Sequence, residues 1–302
     1  RRGELPENAH PVLFSDLTLE QFSHLSRKDL HWTTIHYMQL IIGVAVALQG
    51  RIFDAVDFPS FFPALHVARS VFSAFGITCE RMAIAFLGWG SVSTRMAYSS
   101  ERSAETATAL EIAEKASVEC ADIRYTISDI DIHQDWKVEL PIASIDMHDT
   151  LEEIVPRPLE RSDTPPDLWF VGRLDGAKGP DIFLDIVSRV PRSLYGRVLL
   201  SGPDNDWHEG ERWSQNLMKI AKALGIEAEY CGQLSDADLR SRVFGGRSIV
   251  IVPSRTDTFN YVALEAIRSG CVTLLSTKAG ASAFMSNHHP KLAPPSIDPD
   301  NV

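Results

Sequence analysis

The chain has 302 residues, 44% of them apolar and 23% charged, which is enough for two globular domains with cores of ordinary size. Its formal net charge of −11 argues against non-specific nucleic-acid binding, because that binding depends on Lys and Arg contacts to phosphates. The acidic balance does not exclude a small phosphate-bearing ligand, since one pocket can be positive in an acidic protein.

The cysteines and the lengths of the apolar runs indicate where in the cell the protein is located. No C-x-x-C spacing occurs among the cysteines, so neither a zinc knuckle nor a thioredoxin-like site is expected. Three of the four have apolar neighbours and are predicted to be small core residues in a reduced protein. No apolar run reaches the roughly 18–20 residues of a membrane span. We therefore expect a cytoplasmic protein, either free or peripherally attached to the inner face of the membrane.

The first half of the chain alternates between helix-like and strand-like patterns. Apolar residues recur at helical spacing in some segments and form short runs in others, with breaks at Gly and Pro. The pattern predicts helices over residues 29–49, 63–75 and 103–120 and strands over residues 53–58, 82–87, 123–127 and 138–141. Such alternation is typical of parallel α/β architecture.

A proline-rich stretch separates two predicted domains. Residues 156–166 have the composition of a linker, so domains are predicted over residues 1–155 and 167–302. The second half predicts strands over residues 168–171, 196–201, 228–231, 248–252 and 272–276 and helices over residues 180–190, 211–224, 235–243 and 261–269. Both halves are expected to be Rossmann-like, and residues 286–302 are expected to begin a loop.

A glycine-containing loop follows the first strand of the second domain. It runs from Gly172 to Gly179 and carries Arg173 and Lys178, near the sheet edge at which open α/β folds bind ligands. The Arg fork matches phosphate oxygens, and Lys supplies a mobile point charge. Two cations on one loop suit a diphosphate, and a solvated loop with surface charges is the alternative.

A second segment of interest leads from the strand at residues 248–252 into a helix. The helix begins near Asn260 and Tyr261, where free backbone N–H groups favour a phosphate. Glu265 lies one turn inside and leans back toward the helix start, while Asp257 precedes the helix. Both carboxylates are candidates to bind the hydroxyls of a sugar nucleotide. The alternative is that Asp257 caps the loop and Glu265 pairs on the helix surface.

Together the two segments resemble the GT-B retaining glycosyltransferases, in particular glycosyltransferase family 4. The family's G-R-x-x-x-x-K-G loop is matched by Gly172, Arg173, Lys178 and Gly179. Its P-S-x-x-E-x-F-G-x-x-x-x-E-A segment is matched by Pro253, Ser254, Phe259, Glu265 and Ala266. The turn at residues 232–235 resembles the family's G-x-x-[ST] turn near the nucleotide base. The resemblance covers residues 167–285 well and the first half only loosely.

The resemblance implies a fold and a set of roles. It implies two Rossmann-like domains facing a cleft, the first for the acceptor and the second for the donor. It assigns the donor diphosphate to Arg173 and Lys178 and the ribose to Glu265. Asp257 takes the catalytic position at the donor sugar, and the backbone N–H groups of Asn260 and Tyr261 face the phosphates.

Further candidates for donor contact are glycines and apolar residues near these motifs. They are Gly172, Phe259, Gly232, Leu234 and Gly88. Gly88 belongs to a Gly-Trp-Gly turn after a strand of the first domain, for which a tight turn with a packed Trp89 is an equal alternative.

The chain departs from the family's pattern in places. Asp257 is one methylene shorter than the family's Glu, and Asn260 replaces the usual Gly. An opening strand with a Gly-rich loop and a C-terminal helix that crosses back to the first domain are missing. Either the chain is truncated at both ends or the protein differs from the family.

The expected function is retaining transfer of a hexose from a UDP- or GDP-linked sugar to a glycan or lipid-linked acceptor, in polysaccharide biosynthesis. No metal and no cofactor beyond this co-substrate are expected. The Asp-x-Asp pairs of an Asp-rich chain more often cap helices or face solvent than bind a metal ion. No nucleic-acid partner is expected. One alternative is a catalytically decayed nucleotide-sugar-binding protein. Another is a sugar-nucleotide epimerase or a phosphorylase on the same architecture.

Overall fold

The computed structural model describes residues 32–60, 64–86, 104–127, 141–144, 164–208 and 210–302. They separate into two compact units. The first is built mainly from residues up to Tyr125, and the second contains residues 164–302.

The first unit alternates helices and strands, as its pattern predicts. In chain order, the elements before residue 164 are α1 (Trp32–Ala47), β1 (Ile52–Pro59), α2 (Leu65–Ala74), β2 (Thr78–Phe86), α3 (Ala104–Cys120), β3 (Ile123–Thr126) and β4 (Ala143–Ser144). The strands lie in the order β1-β2-β3-β4, and β1 pairs with β2 in parallel. Helix α2 buries Leu65, Ala68 and Phe72, a helical spacing that points one face into the core.

The strands before residue 164 differ from the prediction in three places. Strand β2 begins at Thr78 rather than at residue 82. Its first four residues are largely exposed and only its second half is an apolar run, so the pattern showed only the second half. The predicted strand at 138–141 is wrong at Pro141, which lies in no strand, and residues 138–140 lie outside the described residues. A two-residue strand, Ala143–Ser144, was not predicted.

An acidic side chain links two elements of the first unit. The Asp122 carboxylate accepts a hydrogen bond from the Met82 N–H (2.7 Å) and one from Arg69 (2.6 Å). The bond from Met82, with the neighbouring Arg69 charge, lowers the pKa of Asp122 below its ordinary value. Asp122 thereby ties α2 to β2.

The second unit is an open parallel α/β sheet. Its main elements are β5 (Asp167–Val171), α4 (Pro180–Ser188), a 3₁₀ turn (Arg192–Leu194), β6 (Val198–Ser201), β7 (Asp206–His208), β8 (Glu211–Arg212), α5 (Trp213–Ala223), β9 (Ala228–Tyr230), α6 (Asp236–Asp238), β10 (Ser248–Val252), α7 (Tyr261–Arg268), β11 (Val272–Ser276), α8 (Gly280–His288) and β12 (Ser296–Ile297). The sheet order is β12-β11-β10-β5-β6-β9, with every pairing parallel. This is the 3-2-1-4-5-6 order of a Rossmann fold, counted from β5.

Both faces of this sheet are buried. Trp169 and Val171 point into a cluster with α7 and α8, whereas Leu168 and Phe170 point into a cluster with α4 and α5. Successive residues of a strand face opposite sides, so β5 contributes to both cores. This explains why β5 and β10 read as continuous apolar runs.

Three segments of the second unit differ from the prediction. The helix predicted over residues 235–243 is instead the short α6, followed by a π-helical turn at Leu239–Phe244. The Ser241 hydroxyl donates to the Ala237 carbonyl (2.9 Å), a back-bond that bends helices. Residues 286–302 are not simply a loop, since α8 runs to His288 and β12 pairs with β11. The antiparallel pair of β7 and β8 was also missed.

The cysteines are only partly the core residues that were expected. Cys231 and Cys271 are half-buried and pack against the core, Cys79 is half-buried, and Cys120 is exposed. All four are free thiols, and burial raises the pKa of Cys271 to about 11. Among the described helices, none has the length and apolar character needed to cross a membrane.

Candidate functional site

The strand order places two loops side by side at the carboxyl edge of the second sheet. Strands β5 and β10 are neighbours, with Leu168 opposite Ile249, yet they are separated in sequence by β6 and β9. The order in which strands are added to the sheet therefore reverses between β5 and β10. We name residues 172–179 the β5 loop and residues 253–260 the β10 loop. In open α/β sheets, ligands bind at such a switch point.

The β5 loop is anchored at both ends. Leu174 is fully buried, and its N–H donates to the Pro203 carbonyl (2.8 Å). At the other end Gly179 has φ 68°, and a Cβ there would lie 2.5 Å from the Pro253 carbonyl oxygen. A glycine is therefore required for the two loops to approach so closely.

The two cations of the β5 loop are held by carboxylates. Arg173 forms an ion pair with Asp175, whose other oxygen accepts the Lys178 backbone N–H (2.9 Å). The Lys178 ammonium lies 2.5 Å from Asp257 in the β10 loop. Its side chain is 24% exposed and that of Asp257 only 9%. The predicted diphosphate ligand and the predicted catalytic carboxylate are thus in direct contact.

Hydrogen bonds of Arg255 join the β10 loop to the β5 loop and to α4. Arg255 donates to both carboxylate oxygens of Asp181 at the start of α4, at 2.8 and 2.6 Å. It also donates to the Gly176 carbonyl (2.9 Å), and its backbone N–H donates to Ala177 (2.8 Å). A bidentate Arg–carboxylate pair is strong and directional. Sequence reasoning missed Arg255 and Asp181, although a cation inside the second motif and an acid in the first turn of α4 were the signals that could have found them.

The start of α7 is shaped by Asn260. This residue has φ 67° and ψ 78°, and its side chain accepts the Ala263 N–H (3.0 Å). Tyr261 follows with 54% of its surface exposed. The ring of Phe259 is buried against Tyr261 and Phe284, so any ligand contact of Phe259 is limited to its backbone.

The other predicted residues lie near these loops or outside the described residues. Glu265 is exposed on α7, and its carboxylate makes no hydrogen bond or ion pair in the described part of the chain. The Gly232 carbonyl accepts from the Gly202 N–H (3.1 Å) and the Ser201 hydroxyl (2.9 Å). Leu234 is half-buried against the core. Gly88 lies outside the described residues.

Backbone hydrogen bonds to neighbouring segments hold Gly172 and Asp257 in place. The Gly172 N–H donates to the Ser201 carbonyl (2.9 Å) at the end of β6. Asp257 forms a parallel bridge with Ala279, its N–H donating to the Lys278 carbonyl (3.3 Å) and its carbonyl accepting from Gly280 (3.0 Å). The backbone of the β10 loop is therefore fixed on two sides.

The Asp-x-Asp pairs of the described residues have local partners. Asp204 accepts from the Ser214 N–H (3.0 Å) and hydroxyl (2.6 Å) at the start of α5. Asp238 accepts from the Ser235 hydroxyl (2.6 Å). Asp298 accepts the Asp300 N–H (3.1 Å) in a turn. Asp129 and Asp131 lie outside the described residues.

Comparisons with known proteins agree with the motifs. Residues 165–301 match the family described as Glycosyl transferases group 1. D-inositol 3-phosphate glycosyltransferase from Rhodococcus jostii (strain RHA1) is 28% identical over 123 residues, 39% of this chain and 26% of that protein. The same enzyme from Mycobacterium sp. (strain KMS) is 33% identical over 113 residues, 37% of this chain and 24% of that protein. The matches thus span about a quarter of the length of these curated relatives.

Solved structures share the fold over a longer stretch. Sucrose-phosphate synthase from Thermosynechococcus elongatus matches with a TM-score of 0.66 and 17% identity, over 94% of this chain and 70% of that one. The UDP-forming α,α-trehalose-phosphate synthase from Burkholderia xenovorans matches with a TM-score of 0.60 and 13% identity, over 95% and 72%. These similarities and the parallel sheets confirm the predicted GT-B fold class. Residues 165–301, which carry both loops, are thus similar in sequence to the Glycosyl transferases group 1 family.

Proposed function

We propose that this chain transfers a sugar from a nucleotide-sugar donor to an acceptor, with the donor at the β5 and β10 loops. The observation that carries the proposal is the contact of Lys178 with Asp257 at the switch point, beside the start of α7. A cation, a carboxylate and a helix N-terminus within one edge of the sheet suit the diphosphate and hydroxyl groups of such a donor.

Each group has a proposed role. Arg173 and Lys178 bind the donor diphosphate, and the backbone N–H groups at Asn260 and Tyr261 face it. Glu265, exposed one turn into α7, binds the ribose hydroxyls. Gly172, Gly232 and Leu234, with the Phe259 backbone, surround the nucleotide.

The donor must displace internal ion pairs. In the structure Arg173 holds Asp175 and Lys178 holds Asp257. A diphosphate carries more charge than one carboxylate and offers more acceptor oxygens, so it competes well for both cations. Binding then releases Asp257 from Lys178 and leaves its carboxylate available to the donor sugar.

The leaving diphosphate needs stabilisation as charge develops on it. Fixed cations and a helix N-terminus supply this, so the proposed transfer does not require a metal ion. We propose retention of anomeric configuration through a same-face reaction guided by the leaving diphosphate, in which Asp257 supports charge on the sugar without forming a covalent bond. A solved trehalose-6-phosphate synthase, described as an enzyme of glycosyltransfer with retention, matches this chain with a TM-score of 0.56 and supports the proposal by similarity of fold.

The proposed donor is a UDP- or GDP-sugar, and the proposed acceptor is a glycan or lipid-linked sugar of cell-surface polysaccharide synthesis in the cytoplasm. UDP is favoured by the UDP-forming trehalose-phosphate synthases. The names of the curated relatives add inositol phosphate as an acceptor worth testing. The matches to those relatives cover only 37–40% of this chain, so the acceptor is a proposal to be tested.

The proposal predicts acceptor-dependent transfer with retention. We expect the chain, incubated with a UDP- or GDP-hexose and an inositol phosphate or lipid-linked oligosaccharide, to give a product with the donor's anomeric configuration by NMR. Asp257→Asn should lower turnover at least tenfold while nucleotide binding persists, because the uncharged amide no longer supports developing positive charge on the sugar.

Other outcomes would select the alternatives. Nucleotide-sugar binding without turnover would identify a decayed binding protein. Conversion of the donor to another sugar nucleotide without acceptor would identify an epimerase. A trapped covalent glycosyl-enzyme would rule out the same-face reaction.

A further inference from the structure

Asn260 has an unusual backbone for a residue with a side chain. Its φ of 67° makes it the one non-glycine residue with positive φ in the part of the chain that the structure describes. Asn tolerates this conformation better than most residues, and Gly tolerates it best. Since Gly is the residue that the family's motif places here, the side chain of Asn260 must be explained by what it contacts.

Both ends of the Asn260 amide are used. Its oxygen accepts the Ala263 N–H at 3.0 Å and thereby caps α7. Its nitrogen donates to the Asp257 carboxylate at 2.7 Å and lies 3.5 Å from the Ser254 hydroxyl. The orientation of the amide is fixed by chemistry, because a backbone N–H can only donate and a carboxylate can only accept.

Asn260 and Lys178 meet the same oxygen of Asp257. Lys178 and the Asn260 amide both donate to Asp257 Oδ2. If the donor diphosphate draws Lys178 away, the Asn260 amide still holds that oxygen. A carboxylate held in this way keeps its orientation.

The same amide has a cost at the helix start. A glycine would leave the Ala263 N–H open as a phosphate donor, whereas Asn260 occupies it. The chain therefore gives up one backbone donor for the diphosphate and gains a second hydrogen bond to the shortened acid Asp257.

We propose that Asn260 is a positioning residue that orients Asp257 toward the donor sugar through its side-chain amide. This inference rests on the proposed function, in which Asp257 contacts that sugar. It predicts that Asn260 affects recognition of the sugar more than recognition of the nucleoside diphosphate.

The test uses two variants at this position. Asn260→Gly keeps the backbone conformation and removes both hydrogen bonds. Asn260→Asp keeps the cap on Ala263 but replaces the donor to Asp257 by a second carboxylate. Calorimetric titration gives the ratio of the dissociation constants of UDP and UDP-glucose, or of GDP and GDP-mannose if the wild type prefers guanine.

We expect this ratio to fall about tenfold in both variants, because each loses the hydrogen bond to a charged group. Affinity for the free nucleoside diphosphate should be unchanged or higher in Asn260→Gly, which opens the Ala263 N–H. It should be lower in Asn260→Asp, which adds a negative charge near the diphosphate.

Three results would overturn the inference. An unchanged ratio in both variants would show that Asn260 does not position Asp257. If the ratio and the melting temperature both fall in Asn260→Gly and neither falls in Asn260→Asp, Asn260 would act only as a helix cap. If the wild type binds neither nucleotide nor nucleotide-sugar, the proposed function fails first, and this inference fails with it.

Discussion

Replacing Lys178 by alanine is expected to weaken binding of the donor's nucleoside diphosphate by about 10- to 100-fold. The ammonium sits between the two loops, 2.5 Å from Asp257 and only 24% exposed, so a phosphate there gains a charge-assisted hydrogen bond. Removal of a hydrogen bond to a charged group typically costs about 1.5–3 kcal/mol, which corresponds to that range. Isothermal titration with the nucleotide that the wild type binds measures the change.

Lys219→Ala is the matched control for this prediction. Like Lys178, Lys219 pairs with a carboxylate, that of Glu211, but its side chain is 71% exposed and lies on α5. An exposed ion pair contributes little, so this variant should bind like the wild type. Equal binding by Lys178→Ala and the wild type would remove Lys178 from the donor site.

Replacing Gly202 by alanine is expected to destabilise the second unit by about 2–5 kcal/mol, the sum of backbone strain and overpacking. Gly202 has φ 145°, and a Cβ there would lie 1.9 Å from the Gly172 carbonyl oxygen. That neighbour is backbone and cannot rotate away. The β5 loop would have to move, so nucleotide binding should be lost together with stability, as measured by urea unfolding and titration.

Gly225→Ala separates the two causes. Gly225 has φ 71° after α5, but nothing lies within 4 Å of a Cβ there. This variant should lose only about 1 kcal/mol from backbone strain and keep nucleotide binding. A similar loss in both variants would mean that the contact with Gly172 does not determine the cost.

The buried strands were predicted well from the sequence, because a strand that is buried on both faces is a continuous apolar run. Strand β10 is apolar after Ser248 and was predicted with its observed bounds, since both faces of a central parallel strand are covered. Strand β12 has only two residues, Ser296 and Ile297, and depends on pairing with β11. Such an element has no local pattern to find.

The candidate site was predicted loop by loop but not as a set of contacts. Each loop could be placed at a strand end, yet Lys178 and Asp257 are 79 residues apart, and their contact depends on β5 lying beside β10. The same holds for the hydrogen bonds of Arg255 to Asp181. At Asn260 the backbone was predicted to face phosphate. The use of its side chain as a cap and as a partner of Asp257 depends on the folded path of the loop, which the sequence pattern does not show.

The central claim is that the β5 and β10 loops bind a nucleotide-sugar, and a thermal-shift screen tests it most directly. The screen compares UDP, GDP, ADP and their common sugar conjugates on the wild type, on Arg173→Ala and on Arg189→Ala. Arg189 also pairs with a nearby acid, Asp185, but on the exposed surface of α4. A ligand that binds only the folded state stabilises it, by about 2.7 kcal/mol at 100 times its dissociation constant.

We predict that one nucleotide and its conjugates raise the melting temperature of the wild type and of Arg189→Ala, and that Arg173→Ala loses this shift. No shift with any nucleotide, or a shift that Arg173→Ala retains in full, would contradict the account.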